Sequence, residues 1–210
     1  MSLLKLIHGR WGSGAAEVDA IRIDAASNAF PVLTYEHHKI HDGSSFVAHI
    51  DNTTANNDLH RTLIGFETPN TTKWLHMIMR AAVSSPAEIF LVEDVTIDDD
   101  EGAQIVALDR NRNTANTSTI LSLQATPTVG SLTWMNETQL GGATFSYATV
   151  LDHIQLAAGV GPKAVGSAAR GDEEWILKQG IKYALFIQNI GAAANLHEIH
   201  LDWYEHASLH

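Results

Sequence analysis

The chain has 210 residues, of which 45% are hydrophobic and 18% are charged, and its formal net charge is −11 at pH 7. These values are typical of a globular domain with a sizeable core and exclude an intrinsically disordered chain. The negative charge also argues against nucleic acid or an anionic membrane as a partner, since either would repel this surface. The absence of cysteine excludes disulfides, thiol catalysis and thiolate metal sites.

Residues 1–30 differ in composition from the rest of the chain. The segment GRWGSGAAEVDAIRIDAASNAF is rich in Gly and Ala and is followed by Pro31. We expect residues 1–30 to form an extended N-terminal arm whose few apolar side chains, Trp11 among them, lie against another surface. Its apolar patch is too short for a signal peptide, which predicts a soluble protein made in a cytoplasm. Residues 31–210 are predicted to form one domain.

From Pro31 onward, short segments rich in β-branched and aromatic residues are separated by clusters of Gly, Pro, Asn, Asp and Ser. Several alternate apolar and polar residues with the period of two of a half-buried strand, and Ile199, Leu201 and Trp203 share one such face. No segment has a sustained helical period. The predicted strands are 32–40, 44–51, 60–67, 73–83, 87–94, 104–109, 118–124, 144–152, 181–189 and 196–206.

This series of short strands without crossover helices predicts an all-β fold, namely an antiparallel β-sandwich or jelly roll. Two long stretches, 109–118 and 153–172, are predicted to be loops. Compact domains rarely carry such loops without a use, so we expect them to be functional or to make contacts.

A run of histidines in YEHHKIHDGSSF, residues 35–46, raises the possibility of a metal site. On the predicted strand His37 and His41 are about 13 Å apart, from a rise of roughly 3.3 Å per residue, which is too far to bind one ion. His49 follows Gly43 at nearly the spacing of a cupin-type metal motif, but Asp51 stands where the second histidine would be. We therefore predict no metal site, and we expect these imidazoles to face solvent or an interface.

Other motifs with chemical meaning are also incomplete. HEIHLDWYEH lacks the H-E-x-x-H spacing of zinc proteases. TIDDDEGAQ has Ala103 and Asp109 where a calcium loop requires Gly and Glu. No phosphate-binding glycine loop and no G-x-S-x-G nucleophile turn occurs in the sequence. The sequence therefore predicts a protein that is not an enzyme and needs no cofactor.

The twelve histidines also predict a dependence of association on pH. Protonation of all of them would change the formal charge from −11 to −11 + 12 = +1. Because histidine titrates at about pH 6.5, we expect assembly to change at about pH 6.

The segment DRNRNTANTSTI, residues 109–120, places Arg110 and Arg112 among asparagines on a predicted loop. Two interpretations remain open: a solvated surface loop, or a set of donors that contacts another subunit, where Arg is favoured over Lys. Trp134 is predicted to be exposed in the loop SLTWMNETQLGG. The candidate subunit contacts are Trp11, Arg110, Arg112, Trp134 and Trp203.

The order of several segments resembles a family of tailed-bacteriophage virion proteins over roughly residues 35–206. These segments are YEHHKIHDGSSFVAHI, IGFETPNTTKWLHMIMRAAVSSPAEIFLVEDVT, LDRNRN, EEWILKQGIKYALFIQN and IHLDWYEH. The resemblance implies a capsid decoration (cement) protein on the exterior of the head, assembled in the cytoplasm of the bacterial host. It further implies a jelly-roll fold, a trimer and binding to the major capsid protein, and it implies no catalytic residue.

Two alternative functions remain open from the sequence. One is a carbohydrate-binding sandwich of a tail fibre or tailspike, in which Trp134 would stack on sugars. The other is a metal-dependent jelly-roll enzyme, which would contain a stoichiometric metal ion.

Overall fold

The computed structural model describes residues 35–55, 59–97, 102–142, 144–156, 163–165, 174–191 and 194–207. The predicted arm with Trp11 lies outside the described residues, as do most of the acidic turn at 98–101 and parts of the predicted loop at 153–172.

The described chain forms two short helices and fourteen strands. The helices are α1 (Tyr35–His41) and α2 (Glu137–Gly142), and neither has the length or hydropathy that crossing a membrane would require. The strands are β1 (Ser45–Ala55), β2 (Arg61–Glu67), β3 (Lys73–Val83), β4 (Ala87–Glu93), β5 (Thr96–Ile97), β6 (Ala103–Val106), β7 (Leu108–Asp109), β8 (Ser131–Met135), β9 (Phe145–Ser146), β10 (Thr149–Leu156), β11 (Lys163–Val165), β12 (Trp175–Leu177), β13 (Lys182–Asn189) and β14 (Asn195–Ala207).

The strands form two six-stranded sheets, and a short pair, β5 and β9, stands apart from them. Sheet A has the order β11-β3-β14-β1-β7, and β12 also pairs with β3. Sheet B has the order β10-β4-β13-β2-β8-β6. The strand pairs are antiparallel and the sheets pack together, which confirms the prediction of an all-β antiparallel sandwich.

The pairing is nested, because early strands pair with late ones. β1 pairs with β14, β2 with β13, β3 with β12 and β4 with β10. For example, Phe46 lies opposite Trp203, and Leu63 lies opposite Phe186. Each sheet is therefore built from strands of both halves of the chain.

The main core lies between the two sheets and follows the alternation seen in the sequence. Ile199, Leu201 and Trp203 are all buried, which confirms the predicted inner face of the last strand. The ring of Trp203 packs against that of Phe46, with centroids 5.9 Å apart. Each such side chain stabilises the fold by about 2 kcal/mol through the apolar area it removes from water.

Sheet B is also covered on its other face, by a second and smaller apolar cluster. There Phe186 and Leu63 pack with Leu140 of α2 and with Leu123. The run from Tyr183 to Ile187 is accordingly buried at every position.

The prediction of a strand at 32–40 is wrong for residues 35–40, which lie in helix α1. The helix is closed locally, since the amide of Asp42 donates to the carbonyl of His38 at 2.9 Å. Gly43 follows with φ +71°, the left-handed conformation that commonly ends a helix. Lys39 pairs with Asp42 at 2.9 Å one turn later. These short-range contacts outweigh the apolar and polar alternation on which the strand prediction rested.

Two further strand predictions are corrected. Residues 118–124 form no strand, and only Leu121 makes isolated bridges, to Glu67 and Val129. Residues 104–109 are two strands in different sheets, because the chain passes from sheet B to sheet A at Ala107.

Two loop predictions are also corrected. Residues 131–135 are strand β8, and β10 extends to Leu156 into the predicted loop at 153–172, which also contains β11. Strand β12 was not predicted. The predicted loop at 109–118 is confirmed for residues 110–118, which contain no strand. Asp109 belongs to β7.

Candidate functional site

An apolar patch lies at one edge of the sandwich, where the chain passes from sheet B to sheet A. Among the described strands, β6 is an edge strand of sheet B and β7 is an edge strand of sheet A. Val106 is 64% exposed, Leu108 44% and Val129 58%. Val129 lies on the neighbouring segment, since the amide of Ala107 donates to the carbonyl of Gly130 at 2.9 Å. We call Val106, Leu108 and Val129 the edge patch, because all three are exposed apolar side chains in this part of the sandwich. Exposed apolar patches can serve as interaction surfaces.

The arginine loop, residues 110–120, begins two residues after Leu108 of the edge patch. Arg110 donates through Nη1 to both carboxylate oxygens of Asp202, each at 3.2 Å. Asp109, which is buried, accepts the amide of Asn111 at 2.9 Å and the hydroxyl of Thr114. Arg112 is exposed and donates to the carbonyl of Asp109 at 3.3 Å.

The far end of the arginine loop is fixed by Glu205, a carboxylate of β14 that is 1% exposed. Glu205 accepts the hydroxyl of Ser118 at 2.5 Å and both the amide and the hydroxyl of Thr119, at 2.9 and 2.6 Å. Lys73 lies 3.6 Å from the same carboxylate. A buried carboxylate is stable only when its hydrogen-bonding capacity is used in this way.

The arginine loop is also attached to the turn after helix α1. Asn116 donates through Nδ2 to the carbonyl of Gly43 at 3.1 Å, and Asn111 donates to the carbonyl of His41 at 2.9 Å. The loop is therefore held along its length by carboxylates of β7 and β14 and by backbone carbonyls at the end of α1. Arg112 lies on this loop, four residues after Leu108 of the edge patch.

The structure changes the interpretation of two predicted contacts. Trp134 lies in strand β8 between Ile64 and Ala103, not in a loop, and it is only partly exposed. Its Nε1 atom is buried and has no hydrogen-bond partner in the described part of the chain. Trp203 is 0% exposed in the core, so in this fold it cannot contact another subunit and is withdrawn as a candidate. The strand position of Trp134 removes the observation that favoured sugar stacking.

The histidines are arranged differently from the prediction. His37 and His41 lie one turn apart on helix α1, with ring centroids 4.8 Å apart, so the distance of about 13 Å expected on a strand is wrong. His49 and His200 face each other across β1 and β14, with centroids 6.2 Å apart. No group of three or more His, Asp or Glu residues suited to a metal ion occurs among the described residues.

His197 is a buried polar residue that the sequence analysis did not single out. Its Nδ1 lies 2.8 Å from the hydroxyl of Thr62, and its Nε2 lies 2.7 Å from Oδ1 of Asn189. Burial, with a smaller effect from nearby His60, lowers the pKa of His197 to about 4. His197 is therefore neutral at neutral pH and joins β14 to strands of sheet B. Its position two residues before Ile199 could have placed it on the inner face.

Glu93 is a second buried ionisable group that connects two elements. It accepts the hydroxyl of Tyr183 at 2.8 Å and the ammonium of Lys178 at 2.6 Å. Burial alone would raise the pKa of Glu93, but the hydrogen bonds from Lys178 and Tyr183 outweigh it and hold the pKa below its ordinary value. Burial, together with the bond to Glu93, raises the pKa of Tyr183. This arrangement joins β4 to β13 and to Lys178.

A surface hollow of about 280 Å³ lies beside Glu93, on the side of its neighbour Asp94. Its lining consists of Glu67, Asp94, Val95, Thr96, Gly180, Ile181 and Lys182. The polar side chains of the lining are two carboxylates, one hydroxyl and one ammonium group.

Comparison of the chain with protein-family models, with curated proteins and with solved structures finds no match.

Proposed function

We propose that this chain is a non-enzymatic structural protein of a tailed-bacteriophage virion, which decorates the outer capsid surface and bridges subunits of the major capsid protein. The resemblance of its motifs to virion proteins supports this proposal. So does the net charge of −11, because a protein on the capsid exterior has no need of a basic face toward DNA.

The observation that carries the proposal is the edge patch beside the fixed arginine loop. Covering the apolar side chains Val106, Leu108 and Val129 stabilises a complex by about 25 cal/mol per Å² removed from water. Arg112 supplies donors for carboxylates or carbonyls of a neighbour. Because the loop is already ordered by Glu205 and Asp109, binding loses little conformational entropy.

The nested strand pairing supports the further proposal that the sandwich is a jelly roll. In that fold one long antiparallel hairpin is wound so that its first and last strands pair, and so do the strands inside them. The order β1-β14-β3-β12 in sheet A and the order β2-β13-β4-β10 in sheet B follow this scheme. Jelly rolls occur in capsid proteins and in lectins, so the function rests on the surface and not on the fold.

A charged double variant of the edge patch tests the proposal. In V106E/V129E, burial of the patch would desolvate two carboxylates, and we expect binding to capsids of the same phage to fall at least tenfold in a cosedimentation assay. The matched control is I190E, because Ile190 is 40% exposed but lies outside the edge patch. Equal binding by both variants would contradict this role of the edge patch.

Assembly is tested on the particle and on the free protein. We expect hundreds of copies per virion on the exterior of the head, and a homotrimer in solution by light scattering. We also propose that residues 1–30 staple neighbouring capsomers, so that deletion of residues 1–24 leaves a folded oligomer that no longer binds capsids. A monomer both in solution and in the particle would contradict the proposal.

A further inference from the structure

Two imidazoles face each other on sheet A through their Nε2 atoms. His76 of β3 and His206 of β14 lie diagonally across adjacent strands, since Tyr204 is the residue directly opposite His76. The two Nε2 atoms are 2.7 Å apart, and the ring centroids are 4.6 Å apart. The diagonal placement puts both rings on one face of the sheet.

The Nδ1 atom of each ring has an acceptor beside it. His206 Nδ1 is 2.5 Å from the carbonyl oxygen of Ala207, and a carbonyl can only accept. His76 Nδ1 is 3.1 Å from Oε2 of Glu174 and 3.0 Å from the hydroxyl of Tyr204. Tyr204 in turn donates to Glu174 at 3.2 Å, which orients the carboxylate. These acceptors favour the tautomer with the hydrogen on Nδ1 in both rings.

A neutral ring with hydrogen on Nδ1 presents a lone pair at Nε2. In that tautomer the Nε2 atoms of His76 and His206 direct two lone pairs at each other over 2.7 Å, and either a shared proton or a metal ion between them removes the repulsion. A carboxylate or a backbone carbonyl on the other ring nitrogen is the partner that commonly orients a metal-binding histidine.

We propose that His76 and His206 bind a divalent transition-metal ion of the Zn²⁺, Ni²⁺ or Cu²⁺ class through their Nε2 atoms. Imidazole is a ligand that suits these ions, and water completes the coordination. Glu174 and Tyr204 are positioning residues, because they act on His76 and do not reach its Nε2 atom. This site goes beyond the proposed capsid function and links β3 to β14.

Metal binding requires only a small adjustment of the two rings. Metal–nitrogen distances of about 2.0–2.1 Å in a tetrahedral site place the two nitrogens about 3.3 Å apart. The rings must therefore separate by about 0.6 Å from the present 2.7 Å. The side chain of His76 is 12% exposed and that of Glu174 17%, so the site is sheltered but open to water.

The test is Zn²⁺ binding to the full chain by calorimetry, with variants that separate this site from other histidines. We expect H206A to weaken the tightest Zn²⁺ site at least tenfold and E174A to weaken it about tenfold, as loss of an orienting partner does. The controls are H49A and H37A, which each remove an exposed histidine that stacks on another histidine. Both controls should stay within about twofold of the wild type.

Electron paramagnetic resonance of the Cu²⁺-loaded protein gives a second readout, independent of affinity. We expect coupling to two nitrogen nuclei in the wild type and to one fewer in H206A. Absence of Zn²⁺ binding by the wild type, or equal losses in H206A and H49A, would overturn the proposal. Circular dichroism of each variant verifies that the fold is retained.

Discussion

Glu205 and Thr119 are 86 residues apart in the sequence, and the carboxylate of Glu205 accepts both the amide of Thr119 at 2.9 Å and its hydroxyl at 2.6 Å. A strand from the centre of sheet A therefore fixes the end of the arginine loop. The position of this end of the loop depends on one buried carboxylate, and this can be tested.

Replacement of Glu205 by alanine should destabilise the fold and loosen the loop. E205A leaves the amide of Thr119 and the hydroxyl of Ser118 buried without their acceptor, and we expect a loss of about 3 kcal/mol in the free energy of unfolding. Urea denaturation measures this loss, and hydrogen exchange should show faster exchange of the Thr119 amide. E198A, on the exposed face of the same strand, should stay within about 0.5 kcal/mol of the wild type.

The buried imidazole of His197 should make stability depend on pH. Its pKa falls from 6.5 in the unfolded chain to about 4 in the folded protein, so the unfolded state binds more protons between these values. The stabilisation is complete above pH 6.5 and is lost as the pH falls to 4, by about 3 kcal/mol in total.

Urea denaturation between about pH 7 and pH 4 measures this loss in the free energy of unfolding. The variant H49Q, which changes an exposed histidine, should show the same loss, and H197Q should show a smaller one. Nuclear magnetic resonance provides a check that needs no variant. The ring signals of His197 should not titrate above about pH 5. A midpoint near pH 6.5 would contradict the burial of His197 described here.

Removal of the Tyr183 hydroxyl tests the contact with Glu93. Y183F should cost about 1–2 kcal/mol at pH 7, because Glu93 loses one of its donors. The raised pKa of Tyr183 means that its folded form holds the proton more tightly. Its contribution is therefore present below about pH 10, the ordinary value, and is lost as the pH rises above it. Thermal denaturation at about pH 7 and above about pH 10 measures the effect. Y147F, which removes an exposed hydroxyl, is the control at both pH values.

Substitution of Gly43 by alanine tests the turn that joins helix α1 to β1. At φ +71° an alanine Cβ would lie 2.3 Å from Nδ2 of Asn116, so G43A combines backbone strain with a clash. Gly191 has φ +111°, but an added Cβ would meet no atom of the described residues within 4 Å. We expect G43A to lose about 2 kcal/mol in chemical denaturation and G191A about 1 kcal/mol. Equal losses would mean that the contact with Asn116 is unimportant.

The sequence predicted those features of the fold that depend on the alternation of apolar and polar residues along a strand. The buried face of Ile199, Leu201 and Trp203 follows from a period of two that continues along the strand, and so does the all-β class. The same rule would have placed His197 inside, but imidazole is polar, and its partner Thr62 is distant in the chain.

The errors lie where contacts override alternation. Helix α1 depends on its own turn at Gly43 and on Asn116, which is far away in sequence. Ala107 changes sheets without any turn residue to mark the change. Ser118 and Thr119 have residue types that are common in strands, but their hydroxyls donate to the carboxylate of Glu205 on β14. The facing pair His76 and His206 depends on the register of β3 against β14, which no local pattern contains.

The nested pairing has a consequence for biosynthesis. β14 lies between β1 and β3, and β13 lies between β2 and β4, so the central strand of each sheet leaves the ribosome after the strands on both of its sides. Until then each of the first four strands can pair along one edge only, β1 with β7, β2 with β8, β3 with β11 and β12, and β4 with β10, and its other edge lacks a partner. Such long-range pairing makes folding slow, which places the greatest risk of aggregation in the interval before β13 and β14 emerge.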